Sequence, residues 1–222
     1  MAAFNLAMEL GANGVELDVR RTRDGQLAVH HDAHLADGRA IVELTVEDLN
    51  SGADHVEVPM LPEVLDACMG TLVNVEIKSE RDDPDFDDAY PVADLVTSLI
   101  AARAEQGDDV LVTSFDAAAI AAVRRADPAI RTGLLSMNQD NPKQAIGAAV
   151  DGGHGAVMPH HTMIDAAFME WANAAGLFVG TWTVNGADDM ARMIELGVGA
   201  LISDVPDVAL TAVRAAARPT GG

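Results

Sequence analysis

Cysteine is almost missing from this chain. Cys68 is the single one, so no internal disulfide can form and the redox compartment is left open. Aromatic residues make up only 4%, which leaves Ala, Val, Leu, Ile and Met to build a core from the 49% of residues that are hydrophobic. Basic side chains are also few, with 14 Lys and Arg against 35 Asp and Glu, a net charge of −21. That balance argues against nucleic acid or an anionic membrane surface as the main partner. It leaves room for a small anionic substrate, because a bound divalent cation reverses the sign of the local field. No apolar run is long enough to cross a bilayer, so stable membrane insertion is not expected. The opening "MAAFNLAMELGAN" lacks the basic flank of a signal peptide and reads as an amphipathic helix, with Phe4, Leu6, Ala7 and Leu10 on one side. A cytoplasmic location is the expectation, with export directed by an upstream segment left open. Low-complexity segments and a second composition class are absent too. The 222 residues suit one domain of the larger α/β kind, residues 1–222. Nothing in the sequence sets the oligomeric state.

What the chain does contain is a regular alternation. Short β-branched runs, "GVELDV" at 14–19, "LVNVEIK" at 72–78, "VLVTSF" at 110–115, "IRTGLLS" at 130–136, "GAVMPH" at 155–160, "FVGTWTV" at 178–184 and "ALISD" at 200–204, are separated by helical patterns. Val92, Leu95, Val96, Leu99 and Ile100 follow the helical period, as do Met190, Met193 and Ile194, with Gly197 as a stop. Such alternation favours a parallel sheet, open or closed into a barrel. About seven strands are found where a (β/α)8 barrel needs eight, and the chain begins with a helix. The simplest reading is a barrel whose first strand is missing from this chain. A doubly wound sheet competes, but no glycine-rich phosphate loop follows the first strand. Residues 33–60 read as a small connection on the barrel's top face, and "SERDDPDFDDAY" at 79–90 as a charged loop leading into a helix.

Parallel strands are normally apolar throughout, because both faces are covered, and two of these are not. Side chains alternate along a strand, so Glu16 and Asp18 point opposite to Val15, Leu17 and Val19, while Asn74, Glu76 and Lys78 point opposite to Val73, Val75 and Ile77. In a barrel the polar parity lines the interior near the C-terminal mouth, where active sites of this fold lie. Three carboxylates in a dry place repel one another and take up protons, and a divalent cation removes that problem. All-oxygen ligation by Glu16, Asp18 and Glu76 suits Mg²⁺ or Ca²⁺ better than Zn²⁺, and Lys78 adds positive charge on the same face. The bland alternative is an amphipathic strand with a solvated face, disfavoured because the same parity occurs twice. Asp24-Gly25 signals a tight turn, which returns residues 26–31 beside the first strand and brings His31 near Glu16 and Asp18. A histidine beside a metal and a phosphate is well placed to move protons near neutral pH. His30 has the opposite parity and faces away.

The ordered set "GANGVELDVRRTRDGQLAVHHDAHL", "VPMLPEVLD", "VNVEIK", "TSFDAAAIAAVRRADPAIRTGLL" and "GLFVGTWTVNGADDMARMIELGVGALISDVPD" resembles the glycerophosphodiester phosphodiesterases over nearly the whole chain. The resemblance implies a (β/α)8 barrel of the phospholipase-C-like phosphodiesterase type and the same metal ligands, Glu16, Asp18 and Glu76. It makes His31 one of two acid–base histidines with Asp32 as a supporting residue, gives Lys78 a phosphate contact, and makes Trp182 a wall of the substrate pocket. The implied substrates are small phosphodiesters such as glycerophosphocholine or glycerophosphoethanolamine, cleaved to an alcohol and sn-glycerol 3-phosphate. One departure is expected to matter. The family's first strand carries a His-Arg pair, and this chain starts after that point; nothing in the spacing requires His160 or His161 to stand in. An active full-length parent with this chain inactive, a non-catalytic barrel that binds metal and a phosphorylated ligand, and a phospholipase-D-like lipid phosphodiesterase are the readings that follow.

Overall fold

Strands and helices alternate in three dimensions as the pattern implies. The computed structural model describes residues 1–51, 58–137 and 139–217. In chain order the elements are α1 (Ala2–Leu10), β1 (Gly14–Arg21), β2 (Leu27–Val29), α2 (Val46–Asn50), α3 (Leu61–Ala67), β3 (Leu72–Ile77), α4 (Pro91–Ala102), β4 (Asp109–Ser114), α5 (Ala117–Ala126), β5 (Arg131–Ser136), α6 (Pro142–Asp151), β6 (Ala156–Pro159), α7 (Ala166–Ala174), β7 (Phe178–Thr181), α8 (Ala187–Glu195), β8 (Ala200–Leu201) and α9 (Pro206–Ala216). None of the described helices is long and apolar enough to cross a membrane. The described chain divides into two compact units, one formed by Met1–Asn5 with Asn13–Thr132 and the other by Leu6–Ala12 with the chain from Gly133 on.

In the first unit the strand order is β2-β1-β3-β4, with β2 antiparallel to β1 and the other pairs parallel. The tight turn at Asp24-Gly25 returns the chain as expected, and β2 pairs Val29 with Val19. Along β1 and β3 the register sets Glu16 beside Asn74, Leu17 beside Val75 and Asp18 beside Glu76. Leu17, Val19, Val73, Val75, Ile77 and Val112 are buried on the apolar parity, and α4 and α5 pack on this sheet. Each such side chain contributes roughly 1.5–3 kcal/mol when taken fully out of water, so a register slip that exposed this set would be costly. The buried stripe of α4 is Val92, Ala93, Val96 and Thr97, while Leu95, Leu99 and Ile100 are only half-buried. The stripe is rotated from the expected one, and Thr97 is accommodated inside it because its hydroxyl donates to the Ala93 carbonyl at 2.7 Å. In the connection at 33–60, Ile41, Leu44, Leu49 and Val58 gather around Ala28, and Thr45 and Asp48 close a capping box on α2. Residues 52–57 of that connection lie outside the described residues.

In the second unit β5, β6, β7 and β8 follow one another as parallel neighbours. β7 and β8 are shorter than the apolar runs suggest, yet Ile202 N–H still donates to the Thr181 carbonyl at 2.8 Å and Val184 N–H to the Ile202 carbonyl at 2.9 Å. Met190 and Met193 of α8 are fully buried, and Gly197, at φ +78, ends that helix in the left-handed conformation. The helix at the start of the chain forms over Ala2–Leu10, with Phe4, Ala7 and Leu10 half-buried; Leu6, expected on their side, is 53% exposed.

Candidate active site

The acidic parity of β1 and β3 converges. Glu16, Asp18 and Glu76 each offer a carboxylate oxygen, and the three oxygens lie within 4.8 Å of one another, the one such group of His, Cys, Asp and Glu among the described residues. The cause is the register: Asp18 sits beside Glu76 on the parallel pair, and neighbouring strands lie about 4.8 Å apart. Glu76 is 8% exposed. Burial pushes its carboxyl above the ordinary carboxylate range; Lys78 opposes that shift, Asp18 reinforces it, and His31, when protonated, opposes it least.

Lys78 lies one alternation further on and is itself buried. Its Nζ donates to Glu76 Oε1 at 3.1 Å and stands 3.8 Å from Asp18 Oδ1 and 3.3 Å from Glu80 Oε1. Burial alone would lower the ammonium pKa, but the Glu76 and Asp18 carboxylates outweigh it and hold Lys78 protonated. One ammonium against three clustered carboxylates leaves excess negative charge in a partly dry place. A hard divalent cation with oxygen ligands fits that donor set. Asn74, on the same face, accepts from the Thr113 hydroxyl at 2.9 Å.

His31 follows β2 by two residues. Its Nδ1 is 2.8 Å from Asp32 Oδ1, and both side chains are largely exposed. The histidine holds the Asp32 carboxyl below the ordinary carboxylate range, chiefly through that hydrogen bond. His30 turns its Nδ1 to the Asp32 carbonyl at 2.8 Å.

Sequence reasoning missed Arg20. It shares the parity of Glu16 and Asp18 but is 2% exposed. Its Nε donates to the His31 carbonyl at 2.9 Å, Nη1 to both oxygens of Asp85 at 2.9 and 3.0 Å, and Nη2 to Asp83 at 2.8 Å. The available signal was its even position on β1 facing a loop rich in aspartates.

Trp182 lies in the second unit, just past β7. Its indole Nε1 donates to the Met158 carbonyl at 2.8 Å, and its ring meets the His160 ring edge-on at 5.1 Å. Burial and then the neighbouring His161 push the His160 imidazole below its ordinary value. His161 has Asp189 at 3.6 Å and Arg192 at 3.4 Å as neighbours.

A sequence model described as the glycerophosphoryl diester phosphodiesterase family matches residues 1–208. A glycerophosphodiester phosphodiesterase of Caldanaerobacter subterraneus subsp. tengcongensis is 32% identical, over 96% of this chain and 91% of the relative. Among solved structures, an Oleispira antarctica phosphodiesterase in complex with the product sn-glycerol-3-phosphate superposes with a TM-score of 0.83 at 21% identity, covering 96% of this chain and 90% of the other. A glycerophosphodiester phosphodiesterase of Thermotoga maritima gives a TM-score of 0.75 at 22% identity, covering 95% and 88%. The fold class is therefore that of these proteins, an α/β barrel type. Seven parallel strands lie among the described residues of this chain, where a complete (β/α)8 barrel has eight.

Proposed function

This chain belongs to the glycerophosphoryl diester phosphodiesterase family, a family of hydrolases, and we propose that it acts as a divalent-metal-dependent phosphodiesterase on small glycerophosphodiesters such as glycerophosphocholine or glycerophosphoethanolamine. The products are an alcohol and sn-glycerol 3-phosphate. The observation that carries this reading is the convergence of three carboxylate oxygens within 4.8 Å beside a buried lysine. The family match over residues 1–208 supports treating the chain as one catalytic domain.

Glu16, Asp18 and Glu76 would hold Mg²⁺ or Ca²⁺, which supplies charge stabilisation at the non-bridging phosphoryl oxygens when bound. Lys78, kept protonated by its carboxylate neighbours, contributes a second positive charge toward the phosphate. His31 exchanges the proton, taking it from the attacking hydroxyl or returning it to the leaving alcohol. Asp32, bonded to Nδ1, fixes the ring's tautomer so that Nε2 is the working atom. Trp182 keeps the role the resemblance gives it, a wall for the substrate. The partners of His31 in the family pattern belong to a His-Arg dipeptide, which does not occur in these 222 residues.

Titration calorimetry with Mg²⁺ and Ca²⁺, together with release of sn-glycerol 3-phosphate from glycerophosphocholine, tests the reading. Glu16→Gln or Glu76→Gln should abolish cation binding and turnover, and His31→Ala should lower kcat by about 10²–10⁴-fold while KM moves little. Turnover that persists in Glu76→Gln and in chelator overturns the ligand assignment. Cation binding without any product release replaces the enzyme with the non-catalytic binding barrel.

A further inference from the structure

Arg20 has no part in the mechanism above, yet it is the most completely enclosed cation of the first unit's site face. A guanidinium at 2% exposure is stable only if its donors are met. Here three different groups meet them: the His31 carbonyl through Nε, Asp85 through Nη1 and Asp83 through Nη2. Asp83 and Asp85 are 63 and 65 residues away in sequence and belong to the loop that leaves β3. That loop also carries Glu80, whose carboxylate is 3.3 Å from Lys78 Nζ.

We propose that Arg20 is a positioning residue for His31, one planar guanidinium that fixes the turn carrying His31 and the 79–90 loop to each other beside the carboxylate cluster. The proposal rests on the phosphodiesterase reading, in which His31 moves protons. β2 ends at Val29, the His30 N–H just beyond it donates to the Asp18 carbonyl at 3.0 Å, and the His31 ring bonds its neighbour Asp32, which travels with it. The Arg20 bond to the His31 carbonyl adds a second tie from the turn to β1, at the residue that carries the ring. Because two carboxylates converge on one guanidinium, loss of its fork leaves Asp83 and Asp85 repelling each other, and the middle of the loop moves away. The loop's base stays anchored, with Ser79 donating to Asp116 at 3.1 Å. A lysine at position 20 keeps the charge but cannot reach three directions at once.

The test uses the intact chain carrying Arg20→Lys, or Asp83→Asn with Asp85→Asn, with ¹³C/¹⁵N-labelled histidine and the His31 signals assigned through His31→Gln. Both variants should shift the His31 ring signals, speed tryptic cutting after Arg81, leave Mg²⁺ affinity unchanged, and lower kcat by about 10²-fold with little change in KM. The double aspartate variant is the sharper probe, since those side chains reach the His31 turn through Arg20. Should it fail to fold, Asp83→Asn alone gives the same reading at the more exposed arm. Folded variants whose His31 signals stay at wild-type positions, even with a lowered Tm, would overturn the positioning role. If the wild-type chain releases no sn-glycerol 3-phosphate, the function reading fails, while the ring signals and the tryptic rate still decide the role of Arg20.

Discussion

Glu76 and Lys78 are two residues apart on one face of β3, both buried, and each favours the charged form of the other against the effect of burial. Their common face follows from strand alternation, so the residues Glu16, Asp18, Glu76 and Lys78 were legible from spacing. Arg20 obeys the same parity and was not, because its partners are distant aspartates and a backbone carbonyl that no local pattern announces. His160 in the second unit gives a pH prediction. Its imidazole is held below the ordinary value of 6.5 by burial and by His161, so the unfolded chain binds a proton there more readily than the folded one. The stabilising contribution is therefore complete above the unfolded value and declines as pH falls from 6.5 toward the folded value. Thermal unfolding followed by calorimetry should show the Tm of wild type dropping more between about pH 7 and about pH 5 than that of His160→Asn. Parallel profiles would refute it.

At the level of elements, the pairing of β1 with β3 is what makes the site. Gly14 begins β1 where a Cβ would stand 2.5 Å from the Leu72 carbonyl oxygen and 3.0 Å from the Leu72 Cβ. Backbone cannot yield as a flexible side chain can, so Gly14→Ala should push the strands apart at their start. The expected loss is about 1–3 kcal/mol, the usual range for overpacking, read as a lower urea midpoint with an unchanged slope. An unaltered midpoint would mean that the start of β1 is not under this constraint. The seven parallel strands were legible as β-branched runs, and the ends of β7 and β8 were not. Beyond Thr181 and Leu201 the chain keeps donating across the gap without the regular ladder that apolar content alone suggests.

Over the whole molecule the charge is −21, and self-repulsion at that value works against a compact state. A divalent cation that binds only the folded chain should raise stability by about 2.7 kcal/mol when present at about 100 times its Kd. Differential scanning fluorimetry with added Mg²⁺ or Ca²⁺ should report that rise in wild type and lose it in Glu16→Gln; an equal rise in both would make it a general counter-ion effect. Composition and alternation were enough for the α/β class, the acidic face and the hairpin that returns toward His31, because each follows from repeats two to four residues long that short-range geometry enforces. The pairing of Asp18 with Glu76 across β1 and β3, and the grip of Arg20 on the 79–90 loop, came into view only with the folded chain. Register and long-range ion pairs depend on how distant segments pack, and burial, not residue type, makes one arginine a solvated surface group and another an enclosed anchor.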